Sequence, residues 1–161
     1  MLEAKKLQLH WLLQITKAIN HDFTAKQLFN EYEKILRQHL KVGKLALFIR
    51  EESWKGILFY GNQEDDAQFV ENITRELNRG SELEKELWVK NFRTCQPIIR
   101  REDNKEQTLA YVLIDDFARS SIANRNELTK FIETITSLIV VAIENKRIAD
   151  EKIRQAAIKR E

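Results

Sequence analysis

The sequence predicts an α+β fold: an antiparallel sheet with helices on both faces and a long C-terminal helix that leaves the domain. Three observations predict it. Two pairs of short apolar runs, "KLALFIR" with "WKGILFYG" and "CQPIIRR" with "TLAYVLID", are each separated by a few polar residues, as antiparallel hairpins are. Only four Gly and one Pro punctuate 161 residues, so long helices fill much of the rest. From Asn124 to the end no breaker appears, and the segment is apolar all round as far as Ile143 and mostly charged beyond it.

Residues 1–20 place Leu2, Leu9, Leu12, Leu13 and Ile19 at roughly helical spacing among Lys and Gln, which reads as an amphipathic lead-in helix. A second helix starts at Thr24, whose hydroxyl can cap the free amides while Gln27 reaches back in a capping box. Leu28, Tyr32, Ile35, Leu36 and Leu40 line its inner face, and Gly43 is the residue expected to end it in the left-handed conformation. The hairpin of 44–50 and 54–61 follows, joined by "EES". Its strands are apolar on both sides, so the sheet should be covered on both faces.

Phe69, Val70, Ile73 and Leu77 give the next helix, stopped at Gly80. Ser81 and Glu84 offer a further capping box leading to Leu87 and Trp88. The second hairpin turns through the polar "EDNKEQ", with Pro97 suited to a strand start or an edge. Asn124 and Glu127 cap the last helix, about 57 Å long if straight to residue 161.

That last helix divides in two. Leu128, Phe131, Ile132, Ile135, Leu138, Ile139, Val140, Val141 and Ile143 leave no face for water, so it should pack on the sheet on one side and on a partner helix on the other. Beyond Ile143 only the partner remains. Stepping three then four gives a seam of Ile132, Ile135, Ile139, Ala142, Lys146, Ala149, Ile153 and Ala156, in which the alanines permit close approach and Lys146 is a polar interruption. The expected organisation is an amphipathic helix over 1–20, a domain over 21–143, and a coiled-coil helix or linker over 144–161.

Charge and cysteine content exclude several functions. Twenty-seven basic and 25 acidic residues are mixed along the chain, which gives no broad field for nucleic acid. No signal peptide and no stretch of 18 apolar residues appears, and one cysteine, Cys95, suits a reducing compartment, so no membrane partner and a cytoplasmic location are expected.

The acid pairs Glu51–Glu52, Asp65–Asp66 and Asp115–Asp116 sit where turns and helix starts favour acids anyway. His10, His21 and His39 have no metal-ligand spacing with one another or with Cys95, so no metal site is expected. Arg100, Arg101 and Lys105 form a small basic patch on the second hairpin. Trp54, Phe69, Trp88, Phe92 and Tyr111 are the candidates for lining a ligand pocket, with core packing the competing role.

The segments "VGKLALFIREESWKGILFYG", "QPIIRREDNKEQTLAYVLID" and "ELTKFIETITSLIVVAIENKRI", in the order helix, helix, hairpin, helices, hairpin, long helix, resemble the GAF family of sensory domains. The chain looks most like the GAF modules that precede the catalytic domain of bacterial metal-dependent (type 2C) serine/threonine phosphatases. The resemblance implies terminal helices on one face of the sheet and a ligand cavity under the middle segment on the other. It implies a regulatory module with no catalytic residue of its own, whose parent protein is a phosphatase.

The spaced Asn, Lys, Phe, Asp, Glu signature of cyclic-nucleotide-binding members is not found here, and Cys95 is poorly placed to attach a bilin. Tyr111 lies near where many members have Gly before the Val of the last strand, which fills space or marks a cavity with a phenol in it. The expected function is a parallel homodimer that couples a ligand or conformational state to a downstream output domain in the same polypeptide. No cofactor is required by the sequence, and the identity of a small-molecule ligand is left open. The alternatives are a small-molecule enzyme on this fold, against which the single cysteine argues, and a ligand-free dimerisation module.

Overall fold

The computed structural model describes residues 2–21, 23–61, 66–80, 82, 94–115 and 125–160. The elements run α1 (Leu2–Asn20), α2 (Ala25–Lys34), a π-helical turn (Ile35–His39), β1 (Lys44–Arg50), β2 (Trp54–Tyr60), α3 (Asp66–Asn78), β3 (Thr94–Glu102), β4 (Lys105–Asp115) and α4 (Arg125–Arg160). Of the expected helix over Ser81–Trp88 only Glu82 is among the described residues, and it is not helical.

The four strands form one antiparallel sheet in the order β2-β1-β4-β3, so the two sequence hairpins join along β1 and β4. β1 and β4 are central and apolar on both sides, and each side is covered. Leu45, Leu47, Ile49, Ala110, Val112 and Ile114 pack with Ile15 of α1, Leu28 and Tyr32 of α2, and Leu128, Ile132, Ile135 and Ile139 of α4. Ala46, Phe48, Tyr111 and Leu113 point the other way, onto Ile73 and Leu77 of α3. Period-two alternation in the central strands thus sorts one hydrophobic run into two cores.

The alternation slips once in each hairpin. Ile57 is an extra residue between the pairs Leu47↔Leu58 and Phe48↔Gly56, and Leu109 is extra between Ile98↔Ala110 and Ile99↔Thr108. Each bulge puts two successive apolar residues, Ile57 with Leu58 and Leu109 with Ala110, against the helix-side core. Pro97 lies on the edge strand β3, as the missing amide requires. The loop "EDNKEQ" is mostly strand: only Asp103 and Asn104 turn, both with positive φ, between Glu102 and Lys105.

The predicted capping box at α2 is present, with the Gln27 amide donating to the Thr24 hydroxyl at 3.2 Å and the Thr24 amide to the Gln27 side chain at 2.8 Å. Its end differs from expectation. The helix widens into a π-turn, with the Leu40 amide bonded to the Ile35 carbonyl, and closes when the Val42 amide reaches the Leu36 carbonyl across Lys41, which takes φ 57°. Lys41, not Gly43, is therefore the left-handed terminator. Buried Leu36 and Val42 supply the apolar contact that accompanies this kind of helix end. The next corner requires glycine at position 61, where φ is +86° and a Cβ would fall 1.9 Å from the Gly43 carbonyl oxygen.

Candidate functional site

The face of the sheet under α3 gathers three of the five predicted pocket aromatics. Tyr111, on β4, is 2% exposed and its ring centroid lies 5.5 Å from that of Trp54 at the start of β2. Phe69 of α3 sits 5.5 Å from Phe59 of β2. Trp88 and Phe92 lie outside the described residues. Phe48 and Phe59, not singled out from the sequence, complete the cluster. The alternation of Ala46 and Phe48 against Leu45 and Leu47 in β1 is the signal that could have found Phe48.

α3 is held close to β2. The Trp54 amide donates to Asn78 Oδ1 at 2.8 Å, and Gly56 admits the helix so tightly that a Cβ there would lie 2.8 Å from Val70 Cγ1. With Phe48, Ile73, Tyr111 and Leu113 all within 2% of full burial, this half of the face is packed by the chain's own side chains. Partly buried Cys95 borders it on β3, opposite Leu113.

The remaining candidates are dispersed. Glu51 pairs with Lys55 at 3.3 Å on the exposed β1–β2 turn beside Glu52, and Asp65 and Asp116 are outside the described residues. Among the described residues no group of three or more His, Cys, Asp or Glu converges to hold a metal. The basic patch is offset by acids, Arg100 with Glu102 at 3.4 Å and Arg101 with Glu106 at 3.1 Å. His39 stacks on Trp11 at 4.0 Å between centroids, which joins α1 to the π-turn, and His10, next to Trp11 on α1, meets the same indole edge-on. Burial, Lys34, Lys41 and His10 hold the His39 pKa below its ordinary value.

α4 places the predicted seam on two different surroundings. Ile132, Ile135 and Ile139 are at most 1% exposed and lie in the core of their own chain. Ala142 is half-buried, and Lys146, Ala149, Ile153 and Ala156 are open. The free apolar side of the upstream half is instead marked by Leu138, 38% exposed, while α1 exposes Leu9 and Leu13 opposite its buried Ile15 and Ala18. Sequence spacing alone could not separate the sheet side from the free side, because apolar residues occupy both.

Within that apolar helix lies Thr136, the one buried polar residue outside the aromatics among those described. Its hydroxyl is 2.6 Å from the Ile132 carbonyl and 2.6 Å from Tyr32 Oη on α2. The carbonyl can only accept, so it takes the Thr136 proton and Tyr32 donates to Thr136. Tyr60 donates to the Val42 carbonyl at 2.9 Å, and its ring lies 5.1 Å below the Arg37 guanidinium. Burial raises the pKa of both phenols, so each is a neutral donor.

Comparison with known proteins supports the architecture. No protein-family model and no curated protein matches the sequence. Among solved structures, the chain is similar to the GAF domain of a protein assigned as a sensor histidine kinase from Pseudomonas syringae pv. tomato. The match has a TM-score of 0.55 and 9% identity over 95% of this chain and 96% of the other. At that identity the likeness is one of fold, and the fold is GAF-like. Among the described residues no helix is long and apolar enough to cross a membrane.

Proposed function

We propose that this chain is a non-catalytic regulatory module of the GAF type that pairs in parallel with a second copy and passes its state along α4 to an output domain downstream. The observation that carries the reading is α4 itself: 36 residues, about 54 Å, with its first half in the core and its second half projecting as a charged helix with an alanine-rich stripe. A helix rooted in a sheet and continuing beyond it transmits displacement of the one as movement of the other. The sequence resemblance supports a metal-dependent serine/threonine phosphatase as the output, and the single cysteine fits a cytoplasmic chain. On this reading 1–20 and the free side of α4 form the pairing surface, 21–143 the sensing domain and 144–161 the connector.

One observation favours a second version, a dimerisation module with no ligand. Tyr111 and its neighbours fill the described part of the face where a ligand would sit. Sedimentation of the isolated chain at tens of micromolar tests the pairing common to both versions. A dimer is expected, and a monomer would remove the basis for output through a helix pair. The reading frame beyond residue 161 tests the output: a phosphatase domain there is the expected result.

A further inference from the structure

Tyr32 and Thr136 form a contact whose energetics differ from those of the surrounding core. Apolar burial is non-directional, whereas a hydrogen bond has a preferred distance and angle and so fixes one position. This one joins α2 to α4, 104 residues apart in sequence, with both residues 1% exposed and an oxygen separation of 2.6 Å. The two ends are unequal. Thr136 keeps its proton on Ile132 whether or not Tyr32 is present, whereas Tyr32 loses its only described partner when α4 turns or shifts. Moving α4 therefore orphans a single buried donor, a penalty large enough to hold one position and small enough for a binding event to overcome.

We infer that the Tyr32–Thr136 hydrogen bond is a pin that sets the rotational position of α4 against α2, and that release of this pin is the step by which the domain frees its output helix. The inference rests on the reading of α4 as an output element. Thr136 lies between the deepest sheet contacts of α4, Ile132, Ile135 and Ile139, so a turn of the helix there re-aims every residue from Ala142 onward. Tyr32 is positioned by an independently capped helix, so it stays in place while α4 moves.

Amide hydrogen exchange on the intact polypeptide tests this at a concentration where sedimentation shows one oligomeric state. Tyr32→Phe and Thr136→Val each remove the bond, and Thr136→Ser restores its hydroxyl. The expected result is a loss of protection of about fivefold or more in α4 around residues 133–143 in the first two variants, with β1 and β4 unchanged and the Ser variant like the wild type. Loss of protection spread equally over α4, β1 and β4, including outright unfolding of both variants, would overturn the pin by making the bond an ordinary core contact. Unchanged protection in α4 would overturn it as well. Either outcome leaves the pairing measurement above standing, so failure of the pin and failure of the functional reading are separable.

Discussion

Lys41 carries a backbone conformation that disfavours side chains. Its φ of 57° crowds Cβ against the following carbonyl, at about 1 kcal/mol or somewhat more, and the residue has no compensating cap bond of its own. Lys41→Gly should therefore stabilise the chain by about 0.5–1 kcal/mol after Gly's larger unfolded-state entropy is subtracted, read as a rise in the urea midpoint with unchanged slope. Two residues away, His39 ties the folded state to pH. Its folded pKa is lowered from 6.5 by burial first, then by Lys34, Lys41 and His10, so the unfolded chain binds the proton more tightly. Stability should fall as pH drops through 6.5 towards the lower folded pKa, and His39→Gln should flatten that part of the profile. Titration of the urea midpoint between pH 8 and 5 measures it. Thr24 and Gln27 were readable in the sequence because a capping box is a local motif. Lys41 was not, since the sequence offered Gly43 as the better left-handed residue and only the tertiary burial of Leu36 and Val42 selects the earlier stop.

At the scale of elements, the hairpins and α4 were legible because their periods are long and unbroken, and the bulges at Ile57 and Leu109 were not. An extra residue in a strand apolar on both faces leaves no mark in the pattern, since either register buries something apolar. The same ambiguity limited α4. Ile132, Ile135, Ile139 and Leu138 look alike by composition, and only the placement of the sheet shows that the first three are internal and Leu138 is free. Downstream of Ile143, which still packs on the core, Ala149, Ile153 and Ala156 are exposed, and in the proposed pairing their spacing makes them the partner stripe. Lys146 interrupts it with an exposed cation. Lys146→Ile should tighten pairing about tenfold, by replacing a solvated charge at a seam position with buried apolar area. Sedimentation equilibrium of the two proteins side by side would show this. Equal association of the two would place Lys146 outside the contact.

For the molecule as a whole, the sheet order β2-β1-β4-β3 explains why both terminal helices share a face: β1 and β4 are central neighbours, and α1, α2 and α4 all close over their Leu45, Leu47, Val112 and Ile114 side. Strand order was not readable from the sequence, because pairing between distant hairpins leaves no local signal. The pocket aromatics were partly readable: Trp54, Phe69 and Tyr111 do meet, but as a packed core under α3. What remains free is the side of α4 that runs from Leu138 through Ala149 to Ile153, with Leu9 and Leu13 of α1 exposed as well. The proposed output through α4 requires that side to meet its own copy in parallel. Disulfide formation tests it most directly, because only a parallel, in-register pair brings successive seam positions each against its own copy, whereas an antiparallel pair does so at its crossing point alone. In a Cys95→Ala background, Ala149→Cys and Ile153→Cys should cross-link rapidly under mild oxidation, and Arg147→Cys and Arg154→Cys, on other sides of the helix, should not. Cross-linking that is absent at 149 and 153, or equal at all four positions, would contradict the parallel pairing of α4.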